Sequence, residues 1–63
     1  MLKLSIEIKT FHGAFDGREG QEIARLLLDV AAWFDAQPSP IETKHEGTLR
    51  DLNGNTCGKW ELK

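Results

Sequence analysis

Residues 2–9 alternate apolar and polar side chains without a break, which is the pattern of a strand with one buried face. We expect the apolar side chains of this strand to face the core: Leu2, Leu4, Ile6 and Ile8. The polar side chains between them then lie on the outer, solvated face of a sheet. The chain therefore opens with a half-buried strand.

A helix is predicted after a short loop, ending near Ala36. Asp16 and Glu19 have the spacing of a capping box, in which side-chain oxygens satisfy the free N–H groups of the first turn. Gly20 weakens that turn by up to about 1 kcal/mol relative to alanine, so the ordered helix could begin slightly later. Pro38 ends the helix, because the residue before a proline disfavours helical geometry.

At about 100° per residue, this helix presents three surfaces. The first is an apolar stripe that we expect to pack on the sheet: Ile23, Leu27, Val30 and Phe34, with Leu26 and Trp33 at one edge and Ala31 at the other. The second is a charged face that we expect to be solvated: Arg18, Glu22, Arg25 and Asp29. The third is an apolar shoulder that belongs to neither pattern: Ala24, Leu28 and Ala32.

The clearest local signal is the turn sequence DLNGN at residues 51–55. Asp51 suits the first position of a type I turn, Asn53 the third, and Gly54 the left-handed position that completes a hairpin with a G1 bulge. A type I′ turn at Asn53-Gly54 is the alternative. A calcium loop does not fit, because its glycine would come two positions later and Leu62 replaces its twelfth-position glutamate.

The strands on either side of this turn complete the fold. The first is expected to become extended near Thr48, and the second alternates, with Trp60 and Leu62 facing inward. Gly58 is expected to allow a bulge or close packing beneath the helix. The sequence predicts one α+β domain over residues 1–63, in which a βαββ chain forms a three-stranded antiparallel sheet of order 1-3-2 with one helix packed on one face. An order 3-2-1 with a right-handed parallel crossover is the alternative.

Composition narrows the classes of protein to which the chain could belong. A chain of 63 residues buries only about 60% of the surface that its unfolded form exposes, so its stability depends on packing or association. Cys57 is the single cysteine, which fits a reducing compartment, and no apolar run approaches the roughly 20 residues of a membrane span. The formal net charge of −2 lacks the basic excess of most nucleic-acid binders. We expect a cytoplasmic protein with no membrane partner, and the charge argues against a nucleic-acid partner without excluding one.

Catalytic and metal-binding motifs are not evident in the sequence. His12, His45 and Cys57 lie too far apart along the chain for the paired ligand spacing of a structural zinc site. No serine or cysteine has a neighbouring base, and no phosphate-binding glycine loop occurs. We therefore expect neither an enzyme nor a bound metal or cofactor.

Two regions are candidates for binding. The apolar shoulder has no partner within the predicted fold, and together with a tryptophan at the stripe edge it forms a candidate interaction site: Ala24, Leu28, Ala32 and Trp33. The loop before the helix carries aromatic and basic side chains that could contact a ligand: Phe11, His12, Phe15 and Arg18. The packing alternatives are that Trp33 caps a thin core and that Phe11 and Phe15 fold back into it.

The order of these features resembles small uncharacterised proteins of tailed phages and prophages. The resemblance rests on the alternating first strand, AFD at residues 14–16, EIARLL at 22–27, and LRDLNGN at 49–55 followed by Gly58. These motifs are structural: a helix entry, a core stripe and a hairpin turn. The resemblance implies a phage-encoded protein in the host cytoplasm and leaves the activity open.

Two hypotheses on function follow from the sequence. The first is a non-enzymatic phage or prophage accessory protein, a protein-interaction module that binds a host or phage protein, modulates or inhibits a host protein, and forms a homodimer through the helix. The alternative is a small binder of nucleic acid or of a signalling nucleotide, which would use the loop from Phe11 to Arg18 and the basic residues.

Overall fold

The helix and strands occur in the predicted order. A computed structural model describes residues 1–11 and 13–63. Its strands and helix are β1 (Leu4–Ile8), α1 (Glu19–Asp35), β2 (His45–Arg50) and β3 (Thr56–Leu62), with a short 3₁₀ helix at Gly13–Phe15 between β1 and α1.

β3 lies in the centre of the sheet and pairs antiparallel with both other strands, which gives the order β1-β3-β2. This confirms the predicted α+β fold and its strand order and excludes the parallel alternative. Ile6 lies opposite Trp60, and directly opposed residues of antiparallel strands share a face. α1 packs on that same face, because the ring of Trp33 lies 4.8 Å from the ring of Trp60.

The hairpin has the predicted turn. The Gly54 N–H donates to the Asp51 carbonyl at 3.0 Å, and the Asp51 N–H donates to the Asn55 carbonyl at 2.9 Å. Gly54 has a φ of 82°, the left-handed conformation that glycine adopts without strain. No non-glycine residue in the described ranges has a positive φ, so the alternative type I′ turn, which needs one at Asn53, is excluded.

A bulge in β3 turns one additional side chain toward the helix. Leu49 pairs with Gly58 and Arg50 with Thr56, so Cys57 is the extra residue between them. The predicted bulge is confirmed, but the close approach at Gly58 is to β1: a Cβ there would collide with the Glu7 carbonyl. The inward Cys57 completes the buried core: Phe15, Leu26, Val30, Leu49, Cys57 and Trp60.

Two boundaries differ from the prediction. α1 begins at Glu19 with Arg18 as its N-cap and no side-chain cap, so Asp16 does not cap the helix. The reason is that the chain turns at Gly17, with a φ of 70°, between Asp16 and the helix. β2 begins at His45, earlier than expected, because pairing with β3 extends to the end of that strand.

The burial expected for the first strand is partly wrong. Its apolar side chains do share the face of Trp60, yet Leu4 is 43% exposed and Ile6 38% exposed. Only Ile8 packs against the core cluster. The physical reason is the position of α1, whose Trp33 contacts His45 of β2 and Trp60 of β3. The helix thus leaves Leu4 and Ile6 of β1 incompletely covered.

Candidate interaction surface

α1 is rotated relative to the predicted orientation. Its buried residues are Glu22, Leu26 and Val30, whereas Leu27, predicted at the centre of the core stripe, is 43% exposed. At about 100° per residue, the buried side is turned by roughly 60° from the predicted one. The rotation brings the predicted solvated face partly inside and turns the apolar shoulder further outward.

Glu22 is the side chain that the sequence prediction placed wrongly. It was expected on the solvated face, but it is only 2% exposed. Its Oε1 accepts a hydrogen bond from Arg25 Nε at 2.5 Å, and its Oε2 accepts one from the Leu52 N–H at 2.9 Å. The Arg25 hydrogen bond, reinforced by the Leu52 N–H, lowers the pKa of Glu22 against the opposing effect of burial. A buried, paired carboxylate therefore joins α1 to the hairpin.

Arg25 extends this connection on both sides. Its Nη2 donates to the Arg50 carbonyl at 3.0 Å and its Nη1 pairs with Asp29 at 3.2 Å. The hydrogen bond to Glu22 raises the pKa of the guanidinium, which stays charged. The flank of α1 that carries Glu22, Arg25 and Asp29 therefore lies on the β2 side of the sheet.

Asp51 and Cys57 lie close to Glu22 and Arg25, so the reactivity of this carboxylate and this thiol has to be considered. Asp51 Oδ1 accepts N–H groups of Asn53 and Asn55, both at 2.9 Å, while its buried Oδ2 has no hydrogen-bond partner among the described residues. The thiol of Cys57 donates to the Leu49 carbonyl at 3.5 Å, and burial, followed by the negative charge of Asp51, raises its pKa. A protonated, buried thiol is a poor nucleophile. We therefore assign Asp51 and Cys57 a structural role, in which their hydrogen bonds hold the turn and the strands beside it.

The exposed side of α1 is apolar. Leu28 is 69% exposed, Leu27 lies beside it, and three alanines surround them. We call this surface the apolar helix face, and it consists of Ala24, Leu27, Leu28, Ala31 and Ala32. It unites three of the predicted interaction residues and adds Leu27 from the predicted core stripe and Ala31 from the edge of that stripe. The apolar shoulder predicted from the sequence marks the centre of this face, and the exposed face is wider than that shoulder.

Trp33, the fourth predicted interaction residue, lies apart from this face. It is half-buried, and its ring centroid lies 4.9 Å from that of Phe34, 4.8 Å from Trp60 and 5.1 Å from His45. This placement favours the packing alternative, in which Trp33 covers the core. Its role in binding a partner stays a prediction.

The described residues of the predicted loop site differ in burial. Phe15 is fully buried in the core, as the packing alternative requires, while Phe11 is exposed. Arg18 is exposed and its carbonyl accepts the Glu22 N–H at 3.0 Å, which starts the helix. His12 lies outside the described residues. The nucleotide-binding alternative stays a prediction, without Phe15 as a stacking surface.

The outer face of the sheet is polar and carries charges of both signs. Glu61 lies between two lysines, 3.0 Å from Lys63 Nζ and 3.8 Å from Lys59 Nζ, and the hydrogen bond from Lys63 lowers its pKa. The hollows on this face are open and lined by such side chains, among them Ser5 and Glu7. We describe this face as solvated surface.

Comparison with family models, with curated proteins and with solved structures finds no match for this chain. The resemblance to phage and prophage proteins stays a prediction. Among the described residues, no helix combines the length and apolarity that crossing a bilayer requires. Within residues 1–11 and 13–63, no group of three or more histidine, cysteine, aspartate or glutamate side chains could hold a metal ion.

Proposed function

We propose that the protein is a non-enzymatic interaction module that binds a partner protein through the apolar helix face. The observation that carries the proposal is the pair Leu27 and Leu28, 43% and 69% exposed in the middle of a well-formed helix. Burial of apolar surface contributes about 25 cal/mol per Å², so two adjacent leucines on a rigid helix are an effective anchor. Contiguous exposed apolar patches are typical of protein interaction sites.

The surroundings of these leucines also suit a docking helix. The neighbouring side chains are small, so the side chains of a partner can approach the helix closely: Ala24, Ala31 and Ala32. Asp29, already paired with Arg25, contributes a polar rim at one side. An apolar centre with a polar rim is the usual composition of a protein interface.

The kind of partner comes from the sequence resemblance. A small phage or prophage accessory protein would bind a host or phage protein and, by covering one of its surfaces, modulate or inhibit it. The module itself then needs no catalytic group, and its biological role is defined by the protein that it binds.

The test replaces Leu28 by lysine and uses Thr48→Lys as the matched control, because Thr48 is exposed on the opposite face of the molecule. Affinity capture from a bacterial lysate should recover proteins with the wild type and with Thr48→Lys that are lost with Leu28→Lys. All three chains should show the same cooperative melting by circular dichroism. Recovery of the same proteins by Leu28→Lys would contradict the proposal.

A further inference from the structure

β1 has a free edge whose backbone groups point away from the sheet. Lys3 and Lys63 exchange two backbone hydrogen bonds, at 2.9 and 3.1 Å, and the Lys9 N–H donates to the Cys57 carbonyl at 2.7 Å. The odd-numbered residues of β1 therefore bond to β3. Because backbone direction alternates along a strand, Leu4, Ile6 and Ile8 direct their N–H and C=O groups to the free edge.

The other edge of the sheet is less open. At the end of β2 the Arg50 carbonyl already accepts a hydrogen bond from Arg25. No segment of the described chain pairs with the edge of β1. An unpaired edge of this kind is a template for another strand, and natural proteins normally protect it.

Apolar side chains accompany the free backbone groups. Leu4 and Ile6 are partly exposed on the helix-facing side of β1. Leu27 lies two residues, about 200°, around α1 from Arg25, whose side chain marks the β2 side of the helix. Leu27 therefore lies on the opposite flank, toward β1. The free edge, the two strand side chains and Leu27 therefore all lie on the β1 side of the molecule, and all three side chains are incompletely covered.

We propose that the β1 edges of two copies of this chain pair antiparallel about a two-fold axis at Ser5. Ser5 then faces Ser5 of the second copy as a non-hydrogen-bonded pair, and Leu4 faces Ile6 of the second copy as a hydrogen-bonded pair. Six strands form one sheet, with both helices on one side flanking the covered Leu4 and Ile6 side chains. The inference names a second copy as the partner of this edge and does not rest on the proposed function of the apolar helix face.

Charge complementarity selects this register. With Ser5 on the axis, Lys3 faces Glu7 of the second copy twice, on the outer face of the sheet. A shift that places Ile6 on the axis brings Lys3 opposite Lys9, and a shift to Glu7 brings two carboxylates together. Cross-strand pairs of like charge are destabilising and those of opposite charge stabilising. Glu7 is free to make this contact, since its described ion pair with Lys9 is 4.0 Å long and exposed.

A charge-swap experiment tests the register on the purified chain. Lys3→Glu and Glu7→Lys should each raise the dimer dissociation constant by about ten-fold to a hundred-fold, because each replaces two attractive pairs by two repulsive ones. An equimolar mixture of the two variants should form a heterodimer, since the introduced carboxylate of one variant faces the introduced ammonium group of the other and one native pair of Lys3 with Glu7 remains. Light scattering coupled to chromatography, over a range of concentrations, measures all of these states.

Disulfide trapping tests the axis independently. Ser5→Cys should form an intermolecular disulfide on mild oxidation, because Cα atoms of a non-hydrogen-bonded pair are about 4.5 Å apart, within the range that a disulfide spans. Lys9→Cys is the matched control, because Lys9 is exposed and its replacement leaves both Lys3–Glu7 pairs intact. It should not crosslink, since the two introduced thiols lie eight residues apart along the paired strands. The wild type, with Cys57 buried, should also remain uncrosslinked.

Two results would overturn the inference. One is a wild-type chain that stays monomeric at its highest soluble concentration. The other is a dimer that neither charge variant weakens but Leu28→Lys dissociates, which would assign self-association to the apolar helix face. Both readouts use the purified chain alone, whereas the proposed function is tested by a foreign partner, so failure of one leaves the other standing.

Discussion

The two flanks of α1 are built from different interactions. On the β2 side, Glu22 and Arg25 connect the helix to the hairpin by hydrogen bonds of defined direction. On the β1 side, Leu27 of the helix and Leu4 and Ile6 of the strand remain partly exposed. Both flanks lie over the same sheet, and only one of them is closed.

The difference shows that directional hydrogen bonds, together with the aromatic contacts of Trp33, hold α1 toward β2. Apolar contacts are non-directional, so they restrict the rotation of α1 about its axis less than hydrogen bonds do. A carboxylate such as Glu22 is costly to bury without hydrogen bonds, and those hydrogen bonds form only within a narrow range of geometries. The exposed apolar surface is therefore a consequence of where the helix is held.

The largest expected contrast comes from matched aliphatic truncations in the two edge strands. Leu49→Ala in β2 should lower the free energy of unfolding by about 2–5 kcal/mol, because Leu49 is buried in the core. That is a large part of the roughly 3–9 kcal/mol expected for a domain of this size. Ile6→Ala in β1 should cost less than about 1 kcal/mol. Urea denaturation at protein concentrations low enough to keep the chain monomeric measures both.

Equal losses for Leu49→Ala and Ile6→Ala would mean that the two edges are covered alike in solution. That result would contradict the statement that α1 covers the β2 side of the sheet and leaves the β1 side partly open.

A smaller effect is expected from a glycine that the closed side of the fold requires. A Cβ at Gly47 would lie 2.5 Å from Nε1 of Trp60, so Gly47→Ala should destabilise the fold by about 1–3 kcal/mol through overpacking. Gly20→Ala is the control, because nothing lies within 4 Å of its Cβ position, and it should stabilise the helix by up to about 1 kcal/mol. Thermal melting followed by tryptophan fluorescence distinguishes them. A Gly47→Ala variant as stable as wild type would show that Trp60 is not held against β2.

The smallest expected effect is the acid dependence of the polar connection. The pKa of Glu22 lies below its ordinary value of 4.5, chiefly because of the Arg25 hydrogen bond. The ionised carboxylate therefore stabilises the folded state above about pH 4.5, and this contribution is lost as the pH falls through the lower folded-state pKa. Between about pH 6 and about pH 3, the urea midpoint of the wild type should fall more than that of Glu22→Gln.

Glu42→Gln, at an exposed position, is the control for this titration and should follow the wild type. If Glu22→Gln loses as much stability in acid as the wild type does, Glu22 is not ionised and paired in the folded protein.

The parts of the fold that the sequence predicts correctly depend on local chemistry. Asp51, Asn53 and Gly54 specify the turn by themselves, since their preferences act within a few residues. Although the side on which β1 pairs stays open between the orders 1-3-2 and 3-2-1, the antiparallel pairing of β2 with β3 follows from this hairpin. Such features need little information from the rest of the chain.

The rotation of α1 could not be predicted in this way. Glu22 is buried because the Leu52 N–H, thirty residues along the chain, is available to it. Periodicity treats every glutamate as a solvated residue and therefore placed Leu27 at the centre of the stripe. The apolar shoulder was correctly recognised as lacking a partner in the fold, but its extension to Leu27 and the open edge of β1 depend on tertiary contacts.

The bulge at Cys57 has a chemical consequence for the lifetime of the protein. It turns the single thiol of the chain beneath the hairpin, where burial raises its pKa and keeps it protonated. Oxidants and alkylating reagents act on the thiolate, so they reach Cys57 only in molecules whose hairpin has opened. The rate at which the thiol is modified therefore follows the opening equilibrium of β2 and β3, and a tight hairpin protects the chain from oxidative damage.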